Sequence, residues 1–320
     1  MEALKQRVNY LFHATKGLAL VNIALISLVT AFFGMLSGPM QEFGISAWII
    51  KTFNLVMIEA QREGRIIMLY HTIAVSVVAL EVYFITDIVP MKPHERSQIN
   101  ATVTFGYIMT MFFGLGFAYW GHNFVLHGLY LFGLSLSFFA GILLAAALWP
   151  WKSEYHLKDK DYAQTRGGLD LERVAFFTMA VATLGSAIFG AITGSYWGNG
   201  HETFLAEDLI REPHKTFLQD AIIGHLHIML TLVAIALALI IGKWYDFKGI
   251  LHKIAMPLMI LGTIVISLGA WSVTIVEWAH TIIYVGSVLV LLAALFLVIY
   301  GWDRLIKDNL AAQGIQKTGL

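Results

Sequence analysis

The chain has 320 residues, 58% of them apolar and 13% charged, with 21 basic and 21 acidic side chains and a formal net charge of zero. Soluble domains carry about 25% charged residues, so the composition predicts an integral membrane protein, and neutrality argues against a nucleic acid partner. With no cysteine in the chain, thiolate iron–sulfur clusters, covalent haem attachment through C-x-x-C-H, disulfides and cysteine nucleophiles are excluded.

In chain order, eight apolar runs are long enough to cross a membrane: roughly 17–39, 65–90, 100–121, 124–149, 173–197, 217–242, 250–273 and 278–301. The first is too long for a signal peptide and has no A-x-A site after it. Sixteen of the 21 Lys and Arg residues fall on the side of the N-terminus, 91–99, 150–172, 243–249 and the C-terminal tail. The other five are Lys51, Arg62, Arg65, Arg211 and Lys215. The positive-inside rule then places both termini in the cytoplasm. Trp120, Trp197 and Trp278 would mark the outer interface, and Trp149, Trp151, Trp244 and Trp302 the inner one. Between the first two spans, the segment from Lys51 to Arg65 reads as a surface helix. Glu202 to Asp220 looks similar, interrupted at Pro213.

The polar stretch 150–172 reads as a solvated cytoplasmic linker that divides the chain into residues 1–149 and 173–320, four spans each. Each half has a long outer loop between its first two spans and a short one between its last two. His71 and His227 lie 156 residues apart, and His127 and His280 lie 153 apart. Two similar offsets predict an all-α fold of two tandem four-helix repeats.

Histidine is rare and costly in lipid. His71 lies about 9 Å into the second span at ~1.5 Å per residue. His225 and His227 are at a comparable depth in the sixth. His127 and His280 are near the starts of the fourth and eighth, with His122 just before the fourth. All therefore lie at one level, on the extracytoplasmic side, and His71, His127, His227, His280 and His225 are a candidate ligand set for one or two b-type haems. Arg62, Arg65, Arg211 and Lys215 lead into the second and sixth spans, where haem propionates would find cations. His225 and His227 point about 200° apart on a helix, so they can serve two cofactors or one can be a bystander. His13, His94, His156 and His252 read as interfacial or loop histidines at the cytoplasmic side. His201 and His214 fall in an outer loop.

This arrangement resembles haem A synthase over nearly the whole chain. The resemblance implies eight helices in two four-helix repeats, with one haem-ligand His near the outer end of each even-numbered helix. By position His71, His127, His227 and His280 match those ligands, His71 pairing with His127 and His227 with His280. The local motifs depart. Where the family has Glu three residues before the first-half His and Arg directly after it, this chain has Met68 and Thr72. Glu277 alone keeps the Glu-x-x-His spacing, in EWAH before His280, with Thr281 following. A more local resemblance is to haem–copper oxidases and nitric oxide reductases. Residues 65–71 (RIIMLYH) look like their low-spin haem helix, and His225-Leu226-His227 like their H-x-H helix. That likeness would instead join His71 to His227. No adjacent His-His pair or other copper-ligand set accompanies it.

Two haems without a catalytic metal predict electron transfer. The expectation is a cytochrome b subunit in the cytoplasmic membrane, passing electrons between a quinone and an extracytoplasmic cytochrome or other redox subunit of a larger complex. Glu59, Glu63 and Glu277 are the candidate quinone or proton residues at the outer side, and Glu81 and Asp87 are inner candidates. A haem-modifying enzyme and a cofactor-free transporter are the alternatives. Gly185, Gly190 and Gly194 read as a face for close helix approach.

Overall fold

The computed structural model describes residues 16–37, 44–58, 62–121, 123–198, 217–276 and 278–312. Among these the regular structure is helical: α1 (Lys16–Ser37), α2 (Gly44–Thr52), α3 (Arg62–Ile88), α4 (Pro93–Tyr119), α5 (Phe124–Ala147), α6 (Leu171–Gly198), α7 (Phe217–Trp244), α8 (Ile250–Ser272) and α9 (Ala279–Ala312). The seven helices α3–α9 are long and apolar enough to cross a membrane. The chain is therefore a helical membrane protein.

Some boundaries differ from the hydropathy reading, for local reasons. α4 begins at Pro93, seven residues before the apolar run, because proline suits a first helical turn and the Glu95 carboxylate accepts the Lys92 backbone N–H at 3.0 Å. α9 continues past its apolar run to Ala312, carried by polar residues such as the Asp303–Lys307 ion pair at 2.5 Å, one turn apart. The surface helix lies at Gly44–Thr52, before the charged segment 51–65, with Ile49 buried and Ile45 and Trp48 exposed.

By internal contacts the chain divides into two compact units: α1, α2, α3 up to Asp87, α4 and α5 form unit 1, and α6–α9 with residues 88–90 and 148–170 form unit 2. In unit 1, α3 and α4 are joined by side-chain hydrogen bonds. The Tyr83 hydroxyl meets the Thr104 hydroxyl, and the Thr86 hydroxyl donates to Asn100 Oδ1 at 2.9 Å. α4 and α5 approach through glycine: a Cβ added to Gly106 would collide with Ser137, and one on Gly133 with Thr110. Asn123 caps α5, its Oδ1 accepting the N–H groups of Val125 and Leu126 at 2.8 and 3.3 Å. At the same end Leu36, Ile49, Leu55, Leu115, Ala118 and Tyr119 form a buried cluster, with the Tyr119 hydroxyl on the Phe33 carbonyl at 2.8 Å.

In unit 2, α8 and α9 make the same kind of hairpin. A Cβ on Gly262 would come within 2.8 Å of Val290, and one on Gly286 within 2.5 Å of Ile266. Gly106 and Gly262, like Thr110 and Ile266, are 156 residues apart. Gly133 and Gly286, like Ser137 and Val290, are 153 apart. The contacts within the two hairpins thus recur at the offsets that separate the histidines. Burial recurs too: Thr72 and Ile228, Ser76 and Leu232, Tyr83 and Leu239, and Ala140 and Ala293 are all buried.

The polar stretch 150–172 is solvated along most of its length yet docks on unit 2. Its backbone closes on itself through Leu157 N–H to Gly168 O at 2.7 Å and Leu171 N–H to Ala163 O at 3.0 Å. Gly168 has φ +83°, and a Cβ there would meet the Leu157 carbonyl at 2.9 Å. The loop is fastened to α8 by Gly249 N–H to Asp161 O at 2.8 Å and Ala163 N–H to His252 Nδ1 at 2.9 Å. His252 is consequently fully buried, unlike the exposed His94 and His156.

Candidate functional site

His71 and His227 share one geometry. Each donates Nδ1–H to the carbonyl four residues earlier, Ile67 at 2.9 Å and Ile223 at 2.8 Å. A carbonyl oxygen can only accept, so Nδ1 carries the proton and Nε2 keeps its lone pair. That is the tautomer an Nε2 metal ligand needs, with its ring orientation set by the hydrogen bond at the other nitrogen. His71 is half-buried and His227 exposed.

In unit 1 the helices carrying His71 and His127 meet around Gly114. A Cβ on Gly114 would lie 3.0 Å from the Tyr130 ring and 3.9 Å from Met68 Sδ, one turn before His71. The His127 ring lies nearly parallel to Phe117 at 4.9 Å and to Tyr130 at 6.4 Å, both at 19°. Its orientation is thereby held by aromatic faces. Arg65, six residues before His71, is fully buried and donates from Nη1 to the Ile58 carbonyl at 2.9 Å. The side chains of Arg62 and Glu63, and the whole of Glu59, Arg211, Lys215 and Glu277, lie outside the described residues, as do His13, His122, His201 and His214.

In unit 2, His280 is exposed in the first turn of α9. His225 is turned into a helix junction. Its Nδ1–H donates to the Ser186 carbonyl on α6 at 3.0 Å, and its ring occupies the space that a Cβ on Gly190 would need. Trp271 of α8 donates Nε1–H to the Ser186 hydroxyl at 3.2 Å and covers Gly185, whose Cβ would lie 2.6 Å from the indole. The glycine face of α6 therefore admits two large rings. The sequence marked Gly185 and Gly190 as a close-approach face, whereas Gly194 has nothing within 4 Å of its Cβ; serine and tryptophan are ordinary residues in such spans, so Ser186 and Trp271 gave no signal.

A second polar assembly closes the other end of unit 2. Lys243 pairs with Glu172 at 2.6 Å, and the other Glu172 oxygen is 4.0 Å from His252 Nε2. Asp246 is held below the usual carboxylate range: its burial acts upward, but hydrogen bonds from Lys248 at 2.5 Å and from the Tyr162 hydroxyl outweigh it. The Asp246 bond, with burial, pushes the Tyr162 phenol up. Asp170 caps α6, accepting from Glu172 N–H at 2.9 Å and Arg173 N–H at 3.2 Å, yet its burial pushes it above its ordinary value.

Among the described residues no group of three or more His, Asp or Glu side chains could hold a metal ion. A haem with two axial imidazoles asks for only two protein donors, and the His71 and His227 tautomers fit that role. Comparison with known families, with characterised proteins and with solved structures finds no match to this chain.

Proposed function

We propose that this protein is a haem b-binding cytochrome subunit of eight spans in the cytoplasmic membrane. In this reading its two four-helix units are tandem copies. His71 with His127, and His227 with His280, supply axial ligands near the extracytoplasmic side. The observation that carries the proposal is the matched Nδ1–H to carbonyl bond of His71 and His227, inside hairpins whose contacts recur at the same offsets. Arg62, Arg65, Arg211 and Lys215 are the cations for propionates, and His225 is a helix-junction residue rather than a fifth ligand. When bound, haem supplies one-electron chemistry. Electrons would pass between a membrane quinone, with Glu59, Glu63 or Glu277 as proton acceptors, and an extracytoplasmic redox partner.

The test is an optical spectrum and a pyridine haemochrome assay on the purified protein. Two haems b per chain are expected, falling to one in His71→Ala and in His227→Ala, and unchanged in His94→Ala. A purified, folded protein without a reduced haem b α-band refutes the proposal.

A further inference from the structure

Glu81 is a buried acid that the histidine level does not use. It is 5% exposed, and its Oε1 has no hydrogen-bond partner among the described residues. It lies on α3 ten residues beyond His71, ~15 Å along the axis at ~1.5 Å per residue, and about 80° around the helix from it. An ionisable side chain inside a span marks an ion or proton path, or a counter-ion. The counter-ion role lacks a nearby cation among the described residues of unit 1. Arg65 lies sixteen residues away on α3, ~24 Å by the same rise, and Arg96 faces Asp87 at 4.0 Å at the α3 and α4 ends. A metal role lacks the companions, because no cluster of three donors exists among the described residues. A proton remains. The position 156 residues later is Leu237, so the feature belongs to unit 1 alone.

We propose that Glu81 is a proton-binding site that takes up one proton for each electron arriving at the His71 level, a coupling that rests on the haem reading above. A positive charge at that level favours the Glu81 carboxylate, and neutralising it with an electron favours the acid. The electron comes from a quinol-class donor or the outer redox partner. The proton comes from the aqueous phase at the Ile88 end and adds to a Glu81 carboxylate oxygen. Both leave on reoxidation. Among the described residues of unit 1, the other buried titratable or charged groups are Arg65 and the tyrosines 83, 107, 119 and 130. His71 and His127 are half-buried.

Dicyclohexylcarbodiimide reacts with protonated carboxyls in apolar surroundings and tests the site directly. With the full-length protein in native membranes, peptide mass spectrometry is expected to find the adduct on Glu81, diminishing as pH is raised. A folded protein without that adduct at mildly acidic pH overturns the proposal. Coupling is tested by redox titration of His227→Ala, which keeps the unit 1 site. Its midpoint potential is expected to fall as pH rises, and to become insensitive to pH when Glu81→Gln is added. A pH dependence that survives Glu81→Gln overturns the coupling. Wild-type protein without haem overturns the coupling along with the haem reading, and the adduct then decides the proton site by itself.

Discussion

His252 accepts at Nδ1 from the buried Ala163 N–H, so its proton is on Nε2, the tautomer opposite to that of His71 and His227. The residue fastens a loop. His252→Leu leaves the Ala163 N–H buried without an acceptor, a cost of about 1–3 kcal/mol. The expected outcome is faster tryptic cleavage at Lys158, Lys160 and Arg166, with the helices intact. Asp246 gives the same loop a pH response. Its folded value is depressed, so its stabilisation is present above the unfolded value of about 3.9 and is lost as pH falls through the folded one. Loop proteolysis by an acid-tolerant protease should rise gradually at low pH in the wild type. In Asp246→Asn it should already be raised at neutral pH, with a flatter acid limb. A histidine amid charged loops looked interfacial in the sequence. Its burial depends on Ala163, 89 positions away, and no local pattern announces that contact.

At the scale of helices, the two units solve the same packing problem with different chemistry. Polar side chains link α3 to α4 through Tyr83, Thr104, Thr86 and Asn100. The equivalent positions in unit 2 are Leu239, Ile260, Gly242 and Met256. Interhelical hydrogen bonds in membranes average about 0.6 kcal/mol, so Tyr83→Phe should lower the thermal stability of the detergent-solubilised protein only slightly. Overpacking a glycine contact costs more, about 1–3 kcal/mol. Gly286→Leu, aimed at Ile266, should destabilise strongly in the same melting experiment. Gly301→Leu, with nothing within 4 Å of its Cβ, should not. The long helices were legible because apolar length is a strong signal in lipid. The extension of α9 beyond its apolar run was not, because it rests on the pairing of polar residues such as Asp303 and Lys307. His71 and His227 stood out because histidine in a span is costly; their tautomers required the carbonyl partners to be seen.

For the molecule as a whole, the sidedness proposed from Lys and Arg placement is open to a clean measurement, because the chain contains no cysteine. Ile45→Cys on α2 and Lys160→Cys in the docked loop occupy exposed positions on opposite proposed sides. A membrane-impermeant maleimide should label Ile45→Cys in intact cells and Lys160→Cys only after the membrane is opened. The reverse pattern would invert the whole assignment, including the level of the histidines. The offsets of 156 and 153 residues were visible in two pairs of histidines, and the glycine contacts and buried positions follow the same spacing. What spacing alone could not convey is that the second unit fills the matching buried positions with aliphatic side chains where the first has Thr72, Ser76 and Tyr83.

α8 is tied at both ends. Its first turn holds Ala163 through His252, and near its last turn Trp271 holds Ser186, whose carbonyl also receives His225. The span from His252 to Trp271 covers ~28 Å at ~1.5 Å per residue, with Pro257 inside the helix. Close-packed interiors transmit displacement rather than absorb it. A displacement of the indole at one end is therefore felt by the loop at the other, and a fluorophore at Lys160 would serve as a strain gauge for events beside His225.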